Sequence, residues 1–124
     1  MTPETDAAVR SLLPLKPIIF HILLALMNEE RHGYSIVKAV EDRLGDGRRI
    51  EPGNLYRSLR TMLADGLIEE SHTRPDPELD DQRRRYFRIS PLGLRVARAE
   101  VVRLEELVAV ARSHKLLSGS GGRG

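Results

Sequence analysis

The side chains best equipped for chemistry in this 124-residue sequence are arginines, and their placement is uneven. Residues 83–103 hold seven arginines against one acid, Glu100, whereas residues 1–66 balance nine Lys/Arg against nine Asp/Glu. A guanidinium is permanently charged and presents a planar fork of donors, so a local excess of it is a footprint for phosphate. The net charge of +2 is too small to say this by itself; the distribution says it. Two more arginines, Arg57 and Arg60, lie between Pro52 and Asp65. At about 100° per helical residue, Leu55, Leu59, Met62 and Leu63 fall on one side of that segment. Gly53, Arg57, Arg60, Thr61 and Ala64 fall on the other, flanked by Asn54 and Tyr56. Small residues for close approach, with Arg and Asn as donors, suit a helix that meets base edges and phosphates in a major groove. The same pattern also describes the solvent face of any amphipathic helix, so this segment alone does not decide.

Other chemistries find little support. The histidines His21, His32, His72 and His114 are far apart and fall on different elements, and there is neither a glycine-rich phosphate loop nor a metal-spaced pair. His21, among apolar residues, reads as a satisfied core or interface histidine, and His32 as a helix cap or packing residue. A metal-sensing role for His72 or the acidic loop has no spacing behind it. With no cysteine, thiolate catalysis and a disulfide framework are excluded. The expectation is a non-enzyme with no cofactor and no metal. Hydrophobic residues at 40% and charged residues at 31% fit an ordinary folded chain of one domain. No apolar run approaches the roughly 18 residues of a membrane span, and the acidic start is unlike a secretory signal, so the expected location is the cytoplasm, without a membrane.

The elements that must position the arginines follow from proline, glycine and periodicity. Thr2-Pro3 opens a short helix carrying Ala8, Val9, Leu12 and Leu13, which Pro14 stops. Pro17 opens a second helix, Ile18 to Met27, apolar nearly all round and therefore buried on more than one side. One of those sides, with Ile18 and Ile22, is a candidate surface for a partner chain. Asn28 to Arg31 reads as a polar loop. A third helix runs from His32-Gly33 to about Leu44, with Val37, Val40 and Leu44 inward and Gly45 ending it. The fourth begins at Pro52 and ends at Gly66, with Leu67 folding back on its last turn.

Beyond Leu67 the period shortens. Leu67–Thr73 and Arg84–Ser90 read as two strands of a hairpin around the proline-broken acidic segment Arg74 to Asp81. Strand alternation puts Arg85, Phe87 and Ile89 on one face and Arg84, Tyr86 and Arg88 on the other. Phe87 and Ile89 are expected to anchor the hairpin, leaving Arg84 and Arg88 open to phosphate. Either the acids of the loop point away from DNA, or they pair with Arg83 or Arg85. The order helix, helix, helix, hairpin is that of a winged helix-turn-helix, with the segment from Pro52 as its recognition helix. The fold class is mainly α with a small β-hairpin.

Ser90-Pro91 then opens a last helix, in which Leu94, Ala97, Val101, Leu104, Val108 and Ala111 recur at spacings of 3, 4, 3, 4 and 3. This is a heptad seam, widened by Leu107 and Val110, and it asks for another helix to pack on. A second copy of the chain supplies one, giving a twofold homodimer; packing on the chain's own first two helices is the alternative, and both can hold. The organisation expected is a winged helix-turn-helix domain with its N-terminal helix over residues 1–90, a dimerisation helix over 91–117 and a disordered tail over 118–124.

His32-Gly33-Tyr34, Pro52-Gly53-Asn54-Leu55-Tyr56-Arg57-Ser58-Leu59, Asp65-Gly66-Leu67-Ile68-Glu69 and the run from Arg83 to Gly93 resemble the signature segments of the PadR family of transcriptional regulators. The resemblance covers about residues 14–113, and its short C-terminal part is similar to the smaller PadR subclass. It implies a dimeric repressor on a palindromic double-stranded operator, its last helix crossing the partner's N-terminal region, released by a small-molecule effector of unknown identity. It also implies that Pro52 to Thr61 form the recognition segment, with Tyr34, Ser35 and Lys38 near the DNA backbone and Arg83, Arg84 and Arg85 in the wing. Two departures stand out. Glu51 occupies a position where the family often has Ser or Thr, and there is no tryptophan and no aromatic residue after Phe87 to sandwich a flat drug. The competing class is a winged-helix module that binds protein instead of DNA.

Overall fold

The computed structural model describes residues 3–71 and 85–116. Thr2, His72, Arg83, Arg84, the acidic loop and the glycine-rich tail lie outside the described residues. The elements are α1 (Pro3–Arg10), α2 (Pro17–Ala25), β1 (Arg31–His32), α3 (Gly33–Leu44), α4 (Pro52–Ala64), β2 (Ile68–Ser71), β3 (Tyr86–Ile89) and α5 (Pro91–Ser113). Proline stands in the first turn of α2, α4 and α5, where its missing N–H costs nothing. The Ser90 hydroxyl caps α5 by accepting from the Gly93 N–H at 2.9 Å, and His32 Nδ1 caps α3 by accepting from the Ser35 N–H at 3.3 Å. The end of α4 is a Schellman turn. Gly66, at φ 79°, donates to Leu63 O, and the Leu67 N–H reaches back to Met62 O at 2.9 Å.

The three strands form one antiparallel sheet in the order β1-β3-β2, with Ile68 opposite Ile89, Glu69 opposite Arg88, and Arg31 opposite Phe87. β1 occupies the stretch expected to be a loop. Two residues are too few to show a period, and they become a strand because β3 offers them an edge. That edge also leaves side chains buried on both faces of β3. Tyr86 and Phe87 are both buried, since His32 on β1 covers Tyr86 edge-on at 5.3 Å while Phe87 joins the core.

The core is one cluster fed by every helix: Val9 from α1, Ile19, Ile22 and Leu23 from α2, Ile36 and Val40 from α3, Leu55, Leu59 and Met62 from α4, and Val96 and Ala97 from α5. On α3 the inward position is Ile36 with Val40, and Val37 and Leu44 are only half-buried. Two residues expected at a partner interface are absorbed here. Ile22 is fully enclosed and Ala97 is 5% exposed, so this chain's own helices have already covered both.

One charged group lies inside. Glu100 is 3% exposed, its carboxylate held by both arms of Arg103 at 2.8 and 2.7 Å and by the Leu15 backbone N–H. The Arg103 hydrogen bond is the main reason the carboxyl titrates below its usual range, against the opposing pull of burial. A depressed folded value means the interaction stabilises above the unfolded carboxylate pKa and is lost as pH falls through the folded one. Glu100→Gln is therefore expected to lower the urea midpoint at neutral pH, with the gap to the parent protein closing below about pH 4; a gap independent of pH would contradict this.

Candidate nucleic-acid interface

On α4 the wheel drawn from sequence is the wheel in the structure. Leu55, Ser58, Leu59 and Met62 are buried, and Gly53, Asn54, Tyr56, Arg57, Arg60, Thr61 and Ala64 are all exposed. Helical side chains lean toward the N-terminus, and Arg57 does so far enough that its terminal nitrogen lies 3.5 Å from where a Cβ on Gly53 would stand. Its guanidinium thus overlies the first turn of α4, the end a recognition helix presents to base edges. Glu51 precedes that turn, exposed and making no capping bond. Tyr56 leaves its ring half in solvent and rests its hydroxyl 3.3 Å from the Cβ position of Gly33. Glycine at 33 lets α4 approach the first turn of α3 this closely.

That first turn carries Tyr34, 66% exposed, with Lys38 exposed one turn on. Ser35 is half-buried, and its hydroxyl accepts from Arg31 Nη1 at 2.8 Å. Arg31 Nε also donates to the Ala25 carbonyl at 2.7 Å, closing the C-terminus of α2. Nothing in the sequence marks Arg31 for this role, because no period or motif reveals a side chain that bonds the end of one helix to the start of another.

The wing differs from expectation. Arg88 is not open to phosphate: it donates to Glu69, its ladder neighbour, at 3.1 Å and lies 4.0 Å from Glu30. Arg85 forms a two-pronged pair with Glu70 at 3.0 and 2.8 Å and sits 5.4 Å over the Phe87 ring. The acid that holds Arg85 is therefore on β2. Glu30 also accepts from the Ser71 hydroxyl at 2.7 Å, tying the turn before β1 to β2. The described part of the wing is close to neutral, whereas Arg57 and Arg60 on α4 and Lys38 on α3 are exposed with no carboxylate partner among the described residues.

Away from this surface, α5 divides in two. Its first half is core, whereas Val101 is 42%, Leu107 56%, Val108 38% and Val110 54% exposed; Leu94, Leu104 and Ala111 are half-buried, as is Ile18 on α2. Phe20, Val101, Leu104, Glu105, Val108 and Arg112 line an open groove of about 480 Å³. His21, on α2, has its Nδ1 buried with no hydrogen-bond partner among the described residues. Among the described residues no group of three or more His, Cys, Asp or Glu could hold a metal, and no helix is long and apolar enough to cross a membrane.

Helices α3 and α4 joined by a turn, with a hairpin after them and an outward donor face on the second, define a winged helix-turn-helix protein. The chain belongs to the PadR-like family of transcriptional regulators, whose family model matches residues 22–99. It is 30% identical over 103 residues to the transcriptional regulator Rv3488 of Mycobacterium tuberculosis, covering 81% of this chain and 90% of that one. Its fold is similar to that of a PadR family regulator from Clostridium difficile (TM-score 0.67, 21% identity), covering 80% of this chain and 98% of the other. It is also similar to Bacillus subtilis PadR solved with operator DNA (TM-score 0.58, 19% identity), covering 72% of this chain and 49% of that one.

Because Glu70 neutralises Arg85, Glu70→Gln is expected to raise the salt concentration that elutes the protein from heparin. It should also steepen the salt dependence of polyanion binding by about one counterion. An unchanged elution point would mean that Arg85 does not face the polyanion.

Proposed function

We propose that this protein is a homodimeric repressor in the cytoplasm that binds a palindromic site in double-stranded DNA and is released by a small-molecule effector. The observation that carries the DNA reading is the uninterrupted exposed face of Gly53, Asn54, Tyr56, Arg57, Arg60 and Thr61 beside Tyr34 and Lys38. It has donors for base edges and phosphate and no acid near its middle. The operator complex of the structurally similar Bacillus subtilis PadR supports the same use of the fold. Arg83, Arg84 and Arg85 complete the contact set proposed here, with Arg85 leaving Glu70 for phosphate.

The dimer rests on apolar surface that the described residues leave uncovered. Val101, Leu104, Leu107, Val108 and Ala111 lie along α5 where it has passed the domain, and Phe20 of α2 borders the same groove as Val101, Leu104 and Val108. Contiguous apolar surface of this kind marks an interface. Two copies exchanging α5 against α2 would cover it and set two α4 helices on one face. The groove between Phe20 and Arg112 is where the effector would bind.

Arg57→Ala is expected to weaken binding to a duplex recovered by selection from a random pool by about 1–3 kcal/mol; a mobility-shift titration showing equal affinity would refute the assignment. Leu104→Asp places a charge in the apolar seam and is expected to give a monomer in light scattering, with loss of tight duplex binding. An intact dimer would move the interface elsewhere.

A further inference from the structure

Arg31 makes three contacts from a half-buried position. Nε donates to the carbonyl of Ala25, Nη1 donates to Ser35 Oγ at 2.8 Å, and Nη2 lies 3.4 Å from Glu29. Ser35 in turn donates its backbone N–H to His32 Nδ1. A serine hydroxyl has a single hydrogen and two lone pairs. With one lone pair taken by Arg31, the hydrogen must point elsewhere, and among the described residues no acceptor is bonded to it. It belongs to the first turn of a 12-residue helix, flanked by exposed Tyr34 and, three residues on, exposed Lys38.

We propose that Arg31 is a positioning residue for phosphate: by donating to Ser35 Oγ it turns the Ser35 hydroxyl proton toward a backbone phosphate oxygen of the bound duplex. This rests on the DNA reading above. Two physical effects favour it. A hydroxyl that accepts a bond from a cation is a stronger donor, because hydrogen bonds in a chain polarise one another. The partial positive charge at the start of α3 acts in the same direction. Arg31 thus acts on the anion through Ser35 while its own donors stay fixed on Ala25 and Ser35, with Glu29 beside Nη2. Lysine cannot replace it, since one ammonium on a flexible stem does not hold the fork geometry that spans both oxygens.

The test uses the full chain and a fluorescent duplex recovered by selection from a random pool. Ser35→Ala and Arg31→Gln are each expected to weaken binding about tenfold. The double variant should be no weaker than either single one, because the two act as one contact. Ser35→Thr, which keeps the hydroxyl, should bind close to the parent. Ethylation interference supplies the reading that a purely structural role would not move: a phosphate whose modification harms the parent complex should cease to matter in both variants. Should Arg31→Gln fail to fold, the comparison of Ser35→Ala with Ser35→Thr and the interference pattern of Ser35→Ala decide the matter. Parent-like binding by Ser35→Ala, or losses that add in the double variant, would overturn the proposal while leaving the DNA reading intact. A parent protein that binds no duplex would overturn both.

Discussion

Where α4, the hairpin and α5 meet, the chain is joined by backbone. The Ser90 hydroxyl donates to the Gly66 carbonyl at 2.6 Å and accepts from the Gly93 N–H, while the Ser90 N–H donates to Leu67 O at 3.0 Å. Gly93 lies so close to Leu67 O that a Cβ there would collide with it, and Ile89 crowds the same place. The Schellman turn of α4, the ends of β2 and β3 and the N-cap of α5 thus share one set of hydrogen bonds. Buried polar groups of this kind are costly to leave unpaired, so none of the three elements can shift without breaking bonds made to the others. The donor face of α4, the wing and the direction of α5 are consequences of this joint.

Charge follows a complementary logic. On the sheet, Arg88 faces Glu69 across the ladder, and Arg85, just before β3, reaches Glu70. Exposed pairs of this kind add little stability, yet each occupies donors that a phosphate would otherwise meet. On α4, Arg57 and Arg60 are exposed and form no ion pair among the described residues. The seven arginines between residues 83 and 103 therefore overstate the phosphate-ready charge of that stretch. Arg103 is held by Glu100, and Arg85 and Arg88 by acids of β2.

The physical origin of each signal explains what sequence revealed. Proline starts, glycine ends and the helical period are local, so all five helices and the exposed face of α4 were legible, as were the caps at Ser90 and His32. The partners of Arg31, Arg85 and Arg88 were not, because Ala25, Glu70 and Glu69 meet them only after the chain has folded back. Alternation put Tyr86 on the face opposite Phe87 but did not say that it is buried, because β1, whose His32 packs on the Tyr86 ring, is too short to announce itself. Ile22 and Ala97 are the reverse case, apolar positions whose partner turned out to be this chain itself.

The heptad pattern of α5 shows most plainly how one signal can serve two partners. Its spacing runs without a break from Leu94 to Ala111, although the helix leaves the domain near Glu100, whose buried carboxylate is tied to Leu15 and Arg103. A repeat records that a stripe must be covered; it does not record by which chain. Before Glu100 the stripe is covered by α1 and α2 and welded through Gly93 to α4. Beyond it the same stripe, continued by Val101, Leu104 and Val108, borders a groove that the chain leaves open. On the proposed reading a second copy packs along this stripe beside the groove, and helix continuity then makes the spacing of the two recognition helices depend on what lies between the two α5 helices. A molecule lodged beside Phe20 and Arg112 would on that reading act on DNA binding without touching α4, through a helix whose first half is fixed to the domain.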